Sequence, residues 1–520
     1  MNRLRAIALI CAAAMFSAAG VSSASAVSIR IDADPSSIDI VDDGQGRFIV
    51  RAEGMNGTEY LGMPSLPYRV VSVLLPQGDE VAAFRLEGGR TIELAASIEL
   101  VPFGGYLFDD GIRRGVRIPA DEAVGEDGVF PAQRVRHTGT SSWKGFRIAT
   151  FAVYPVAYNL STGRLEVTDG MTLVVDTAPG VRDDYAKRER HVDGFREKSL
   201  EDVRGAVVNP QLASSYLFDD IVVERDERAF LPSYMPGLEG SAVRYLIVTN
   251  EEMAPEFQRL ADWKTRKGIP AAVRTIEWIE QNCRAGADLG ETIRNFIKDA
   301  YEKWGIEYVL LGGDTEVIPE RLALVMEEFI PTDMYYGCLD GSWNADCDDI
   351  WGEGYIFTTG DPVDETDLYA EVYVGRFPAT SLSDAQLLVD KTMAYEAPSD
   401  IPYKSDFLLL GEVIQPDPYT PGDKISTDGG AYLEAIDDLY LQSNPDITSI
   451  RLYENLTDFP DAILLTRAST LSHMDAGVNH VIHAGHGGKY NMSVGDGSIC
   501  LLYTSPSPRD RTRSRMPSSA

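Results

Sequence analysis

The chain has 520 residues, and 47 lysines and arginines stand against 80 aspartates and glutamates, which gives a net charge of −33. A composition that is 44% hydrophobic and 24% charged excludes a disordered chain, a collagen and a coiled-coil rod. The acidity argues against a nucleic-acid partner, because phosphate contacts need clustered lysine and arginine.

Residues 1–26 have the pattern of a secretory signal peptide. Arg3 and Arg5 precede an apolar run over 6–19, and Ala24-Ser25-Ala26 is a small-residue cleavage signal. The apolar run is too short to cross a bilayer comfortably, and no later segment has 18 uninterrupted apolar residues. We therefore expect a secreted or cell-surface protein that is cleaved after Ala26 and has no membrane span.

Residues 27–180 are predicted to form an all-β, sandwich-like domain. Short runs rich in β-branched residues, such as 46–51, 68–75 and 172–176, alternate with glycine, proline and aspartate. Residues 181–240 carry many charges of both signs, which is typical of a solvated, partly helical connector. This connector is a reasonable place for proteolytic activation, with a new amino terminus near residues 226–242.

Residues 241–499 are predicted to form an α/β domain with a parallel sheet. Apolar strands at 245–248, 308–311, 371–374, 407–410, 449–452 and 478–482 alternate with helices. The strongest helical pattern is 291–304, where apolar residues recur at helical spacing and Gly305 ends the segment.

Polar residues follow several of these strands, at the edge where parallel sheets place their sites. Glu412 comes after Gly411, and His486 lies between Gly485 and Gly487. A carboxylate and an imidazole that leave neighbouring strands at one edge can hydrogen-bond, and the carboxylate would then fix the ring tautomer. A surface glutamate and a structural histidine are the alternative interpretation.

Three further patterns leave alternatives open. His473, His480, His483 and His486 could hold zinc, but His480 and His483 are three apart on a predicted strand and face opposite sides. The acidic loop formed by Asp333, Asp340, Asp346, Asp348 and Asp349 is either solvated or a structural calcium site. Cys338 and Cys347 could form a disulfide in an exported protein, leaving Cys283 unpaired.

The second domain resembles the catalytic domain of the gingipain family of secreted cysteine endopeptidases, which have a caspase-like fold and a β-rich propeptide. The resemblance rests on the order and spacing of five segments, which are Asp262–Gly268, Tyr308–Asp314, Thr332–Tyr336, Glu371–Phe377 and Gly485–Gly487. Residues 62–67 also resemble the opening of the family's propeptide.

The resemblance implies roles for individual residues. His486 matches the catalytic histidine, Glu412 its acidic partner, and Gly487 the backbone donor of the oxyanion hole. Asp423 or Asp428 is placed where an acid would select arginine or lysine in the substrate. The resemblance thus implies protein or peptide substrates and a reaction that requires no cofactor.

The sequence departs from the family after residue 499. The family places its nucleophilic cysteine about thirty residues beyond the histidine, whereas Cys500 follows His486 by only fourteen positions (500 − 486 = 14). Residues 500–520 read as a translated sequencing adapter with no apolar period, which we expect to be disordered. The prediction is a truncated, inactive peptidase precursor. The alternatives are a non-catalytic surface or adhesion protein and a metal-dependent hydrolase.

Overall fold

The computed structural model describes residues 25–58, 60–104, 106–107, 113–114, 124–125, 127–180, 195–217, 243–325, 328–352, 364–366, 369–397, 402–416, 418–425, 427–488, 491–495 and 499–500. The chain consists of two structural units, which divide between Glu396 and Ala397. The predicted signal peptide up to residue 24 and the predicted adapter segment after residue 500 lie outside the described residues.

The amino-terminal part of the first unit is built from antiparallel strands. It begins two residues before the predicted cleavage point, because Ser25 and Ala26 already pair in the first strand. The strands are β1 (Ser25–Ile31), β2 (Ile38–Asp42), β3 (Phe48–Ala52), β4 (Asn56–Gly57), β5 (Pro67–Leu74), β6 (Asp79–Ala95), β7 (Tyr106–Leu107), β8 (Arg113–Arg114), β9 (Val129–Phe130), β10 (Val135–Trp143), β11 (Phe146–Val153), β12 (Val156–Asn159) and β13 (Leu165–Pro179).

Two larger sheets of this region share one hydrophobic cluster. One sheet has the order β1-β13-β12-β9 with β6 also paired to β13, and the other has the order β10-β11-β5-β4. Alternate residues of their strands point into the common cluster, for example Val71 and Val73 of β5 and Leu173 and Val175 of β13. This period of two is what a sheet with one buried face requires.

The predicted connector is partly packed rather than fully solvated. Helix α1 (Phe195–Ala206) buries Val203 with residues of β5 and β11. The Asn209 side chain pairs with the N–H and the carbonyl of Leu74, both at 2.8 Å, and the Tyr216 hydroxyl donates to the carbonyl of Leu75 at 2.6 Å. Residues 195–217 therefore belong structurally to the β-rich region.

The tip of the β10–β11 hairpin contacts the following α/β region of the same unit. The Trp143 indole N–H donates to the carbonyl of Ala370 at 3.0 Å, and its ring packs on Tyr369 with centroids 5.6 Å apart. Lys144 is buried and pairs with Asp202 of α1. One hairpin tip thus ties the β-rich region and α1 to the chain just before the next parallel strand.

The α/β region of the first unit contains a parallel sheet of order β15-β14-β16-β19. The strands of this sheet are β14 (Tyr245–Thr249), β15 (Ala271–Thr275), β16 (Tyr308–Gly312) and β19 (Tyr373–Phe377). Two further strands, β17 (Arg321–Val325) and β18 (Glu328–Thr332), form a separate antiparallel pair. The helices are α2 (Ala254–Arg266), α3 (Ile276–Asn282), α4 (Leu289–Trp304) and α5 (Leu382–Glu396).

Helix α4 forms where the periodicity predicted it. The Asp288 side chain caps its start by accepting from the N–H of Glu291 at 2.8 Å, and Gly305 ends it in a left-handed conformation with φ of 77°. The apolar stripe, including Ile293, Phe296 and Ile297, is fully buried. Capping and burial together explain why this helix was the clearest in the sequence.

Helices α2 and α5 are joined by a charged cluster around Glu396. Burial raises the pKa of this carboxyl, but hydrogen bonds from Lys264, Lys267 and Trp263 outweigh it and lower the pKa of Glu396 to about 2. The Lys267 ammonium and the Trp263 indole both lie 2.9 Å from Glu396 Oε2.

Replacing Glu396 by Gln should lower the free energy of unfolding at pH 7 by about 1–2 kcal/mol. Because the folded-state pKa is depressed, this stabilisation is present above the ordinary pKa near 4.5 and is lost as the pH falls toward 2. Urea unfolding of E396Q and the parent chain at pH 7 and pH 2.5 measures this difference. The exposed carboxylate Glu280 provides the control E280Q, and an equal effect of E280Q at pH 7 would contradict the assignment.

The second unit contains another parallel sheet, of order β24-β23-β20-β25. The strands of this sheet are β20 (Asp406–Gly411), β23 (Thr448–Tyr453), β24 (Ile463–Leu464) and β25 (His480–Ala484). The unit also has an antiparallel pair, β21 (Val413–Gln415) and β22 (Thr427–Asp428), and an antiparallel three-stranded sheet of β26 (Gly487–Gly488), β27 (Asn491–Ser493) and β28 (Ile499–Cys500). The helices of the second unit are α6 (Gly429–Ile436), continued by a π-helical turn over Asp437–Leu441, and α7 (Arg467–Ala476).

The predicted mixture of α/β and antiparallel structure is confirmed, with one difference. The parallel strands predicted for 241–499 as one sheet form two four-stranded sheets, one in each unit. The disulfide that the sequence left open between Cys338 and Cys347 does not form: Cys338 is buried and Cys347 is exposed. Among the described helices, none combines the length and apolar character needed to cross a membrane.

Candidate functional site

The site lies at the carboxyl ends of β20 and β25, which are neighbouring parallel strands. Their register pairs Gly411 with Ala484, so that Glu412 leaves one strand beside Gly485 and His486 leaving the other. The N–H of Glu412 donates to the carbonyl of Ala484 at 3.0 Å. The predicted convergence of Glu412 and His486 at one edge of the sheet is therefore confirmed.

Glycines allow these strand ends to come close together. A Cβ atom on Gly485 would lie 2.6 Å from Glu412 Oε2 and 2.8 Å from the His483 ring. A Cβ on Gly429, at the start of α6, would lie 2.1 Å from the carbonyl oxygen of Ala484. Both positions require glycine because a neighbouring backbone or functional atom already occupies the space.

The carboxylate of Glu412 binds His486 twice through one oxygen. Glu412 Oε2 accepts from the backbone N–H of His486 at 2.6 Å and lies 3.1 Å from ring atom Nδ1. The Glu412 side chain is 8% exposed, whereas that of His486 is 44% exposed. A buried carboxylate thus holds the Nδ1 side of a half-exposed ring.

Three residues to which the sequence interpretation gave no role beside Glu412 and His486 support this pair. The Ser493 hydroxyl donates to Glu412 Oε1. The His483 Nε2 atom lies 2.8 Å from the carbonyl oxygen of Ser493. Glu454 accepts from the N–H of Val413 at 2.9 Å and donates its own N–H to the carbonyl of Gly411 at 2.9 Å, which fixes the backbone on both sides of Glu412.

The backbone N–H of Gly487 points away from the adjacent strand. The N–H of Ser493 donates to the carbonyl of His486 at 2.8 Å, and Gly487 is the next residue in the ladder, opposite Met492. Antiparallel ladders alternate hydrogen-bonded and non-hydrogen-bonded pairs, so the amide of Gly487 is directed outward. This orientation suits the predicted oxyanion donor, and the catalytic role of Gly487 stays a prediction.

Cys500 is the single cysteine in the sequence of the second unit. Its backbone pairs with Met492 in β28, so it does lie in a short strand, contrary to the sequence expectation. The described cysteine side chains all belong to the first unit. Among them, burial raises the pKa of Cys283 to about 11, which is opposite to the activation of a nucleophilic thiol.

The two aspartates predicted to bind substrate are both engaged in local hydrogen bonds. Asp423 is exposed and accepts from the N–H of Thr420 at 2.8 Å within a turn. Asp428 caps α6 by accepting from the N–H of Gly430, and its other oxygen accepts from Asn455, both at 2.8 Å. Their role in selecting a basic substrate residue stays a prediction.

The histidine and aspartate clusters do not assemble a metal site in the part of the chain that the structure describes. His473 Nδ1 contacts the carbonyl of Ser469 at 2.8 Å, and His480 stacks on Phe407. In the acidic loop, Arg376 donates from Nε to Asp333 Oδ2 at 2.8 Å and from Nη2 to Asp333 Oδ1 at 2.7 Å. Arg376 thus neutralises the charge of Asp333, one of the carboxylates that the sequence interpretation considered as calcium ligands.

Comparisons with known sequences identify a family and several relatives. Residues 239–509 match the family described as peptidase family C25. Gingipain R2 of Porphyromonas gingivalis is 28% identical over 165 residues, which cover 31% of this chain and 18% of the relative. Lys-gingipain W83 of the same organism is 22% identical over 281 residues, covering 51% and 13%. The chain spans less than a fifth of the length of these curated relatives.

Several solved structures are similar to this chain. A complex of the RgpB pro- and mature domains from Porphyromonas gingivalis is 21% identical with a TM-score of 0.35, covering 48% of this chain and 50% of that one. A second structure carries the description "Structural insight into zymogenic latency of gingipain K from Porphyromonas gingivalis". It is 16% identical with a TM-score of 0.23, and the match covers 30% of this chain and 100% of that one.

Proposed function

Because the chain belongs to peptidase family C25, a family of cysteine peptidases, we propose that it is the precursor of a secreted or cell-surface endopeptidase that cleaves peptide bonds through a Cys–His mechanism. The observation that carries this proposal is the buried Glu412 carboxylate bound to Nδ1 of a half-exposed His486. The proposal includes a caspase-like arrangement for the α/β part and a sandwich-like propeptide for the β-rich part.

The residues of the site can perform the steps of such a reaction. With its Nδ1 proton held by Glu412, His486 can take a thiol proton at Nε2 and leave a thiolate. The thiolate attacks the carbonyl carbon of the peptide, and the N–H of Gly487 donates to the oxyanion that forms. The imidazolium returns its proton to the departing amine, and water then hydrolyses the thioester. These steps require no cofactor.

The proposal also states that this chain lacks the nucleophilic cysteine. Cys500 and Gly487 both lie opposite Met492, on either side of β27. Two strand spacings place their backbones about 10 Å apart. This position argues against Cys500 as the nucleophile.

Peptide cleavage by the purified chain tests this statement. We expect no thiol-dependent cleavage of unfolded protein or mixed peptides, and no difference between the parent chain and C500A. Thiol-dependent cleavage that C500A abolishes would show that Cys500 is the nucleophile. A longer version of the chain with a cysteine about thirty residues beyond His486 is the matched positive sample, and its failure to cleave would favour a non-catalytic surface protein.

Calcium binding by the acidic loop is a separate, minor part of the proposal. The loop carries Asp346, Asp348 and Asp349, whose oxygens are ligands that calcium accepts. Thermal unfolding with millimolar calcium and with a chelator checks it.

A further inference from the structure

Ser493 is held in place by its backbone at the exit of β25. Its N–H donates to the carbonyl of His486 at 2.8 Å, and its carbonyl accepts from His483 Nε2 at 2.8 Å. His483 belongs to β25 and His486 follows that strand. The Ser493 main chain is therefore fixed on both sides by the segment that carries the proposed catalytic histidine.

The Ser493 hydroxyl completes the hydrogen bonding of the Glu412 carboxylate. It donates to Oε1, whereas Oε2 takes the backbone N–H and the Nδ1 side of His486. Glu412 is 6% exposed, and a buried carboxylate needs donors on both oxygens. Donors on opposite oxygens also stop the carboxylate from rotating, so that one oxygen remains assigned to the ring.

We propose that Ser493 is a positioning residue for the reaction of this site. Its hydroxyl holds Oε1 of Glu412, so that Oε2 keeps the ring proton of His486 on Nδ1 and the lone pair of Nε2 can accept a proton. His483 supports this arrangement by fixing the carbonyl of Ser493. The inference rests on the proposed function. Ser493 acts through Glu412, without contact to a substrate.

The nitrogen NMR spectrum of the His486 ring tests the proposal without needing peptidase activity. At a pH where the ring is neutral, the two ¹⁵N shifts report which nitrogen carries the proton. S493T and S493V are a matched pair, because both are β-branched residues that suit a strand and only threonine keeps the hydroxyl. S493A is a second variant without a hydroxyl, and S443A, which removes an exposed serine contacting the carbonyl of Tyr440, is the control.

We expect the parent chain, S493T and S443A to show the Nδ1–H form. S493V and S493A should shift the ratio of the two ring forms about tenfold toward Nε2–H, in line with the loss of one hydrogen bond to a charged group. Thermal unfolding of each variant confirms that the unit is folded.

The outcomes separate this inference from the proposed function. If E412Q shifts the spectrum but S493V and S493A leave it unchanged, the carboxylate–imidazole pair stands and the role of Ser493 is overturned. If S493T shifts as much as S493V, the hydroxyl is not responsible and the proposal is again overturned. If E412Q has no effect, the pair itself does not fix the ring, and the proposed function loses its main support.

Discussion

In a version of the chain that carries a nucleophilic cysteine, replacing His486 by Ala should lower kcat/KM for peptide cleavage about 10³-fold or more. The ring is the single imidazole bound to the buried carboxylate of Glu412 in the described part of the second unit. Without it, the thiol has no base at this edge of the sheet and the leaving amine has no acid. The two proton transfers of the reaction therefore fail together.

The second unit offers a matched control for this variant. His480 is exposed on β25, the strand that precedes His486, and stacks on Phe407 with ring centroids 4.6 Å apart. We expect H480A to keep kcat/KM within about twofold of the parent, as for other surface changes outside a site. Active-site titration with a thiol reagent gives the fraction of competent enzyme in each preparation. Equal activity of H486A and H480A would contradict the assignment of His486 as the base.

The location of this site was predictable from the sequence because it depends on strand order and glycine. An apolar run marked β20 and the β-branched residues of 478–482 marked β25, and the polar residue after each segment marked its carboxyl end. Gly411 and Gly485 then indicated that the chain turns closely at both ends. Neighbouring parallel strands convert these local signals into one juxtaposition, which the hydrogen bond between Glu412 and His486 confirms.

The support of Glu412 was not predictable in the same way. Ser493 lies in the three-residue strand β27, which has no periodicity that could announce it. Its position depends on the hairpin that brings β27 back to β26, and that pairing is a tertiary contact. The same reasoning applies to Asn209 and Tyr216, whose polar groups bind the backbone of β5 in a segment that reads as a charged connector.

Two further outcomes also have physical causes. The possible disulfide rested on the short spacing between Cys338 and Cys347, but the first is packed in the core and the second is exposed. The single parallel sheet assumed that alternating strands and helices form one layer. The parallel strands instead pair within each unit, and pairing partners cannot be read from hydrophobic runs alone.

Replacing Gly429 by Ala should disrupt both the stability of the second unit and its site. The new Cβ would lie 2.1 Å from the carbonyl oxygen of Ala484 and 2.7 Å from that of Glu412. These are main-chain atoms at the ends of β25 and β20, so no side-chain rotation can relieve the contact. We expect a loss of about 3 kcal/mol, the upper range for an inserted methyl group in a packed site.

Hydrogen exchange measured by mass spectrometry on the whole chain follows this effect within the second unit. A loss of about 3 kcal/mol should make the amides of β20 and β25 exchange about a hundredfold faster, if they open with the unit. Gly375 of β19 is the control, because a Cβ there would meet nothing within 4 Å, and G375A should leave these rates unchanged. The His486 ¹⁵N shifts of G429A should also lose the Nδ1–H signature, since the added methyl pushes the two strand ends apart. Unchanged exchange and unchanged ring shifts in G429A would mean that the close approach of the strand ends does not hold the carboxylate and the imidazole together.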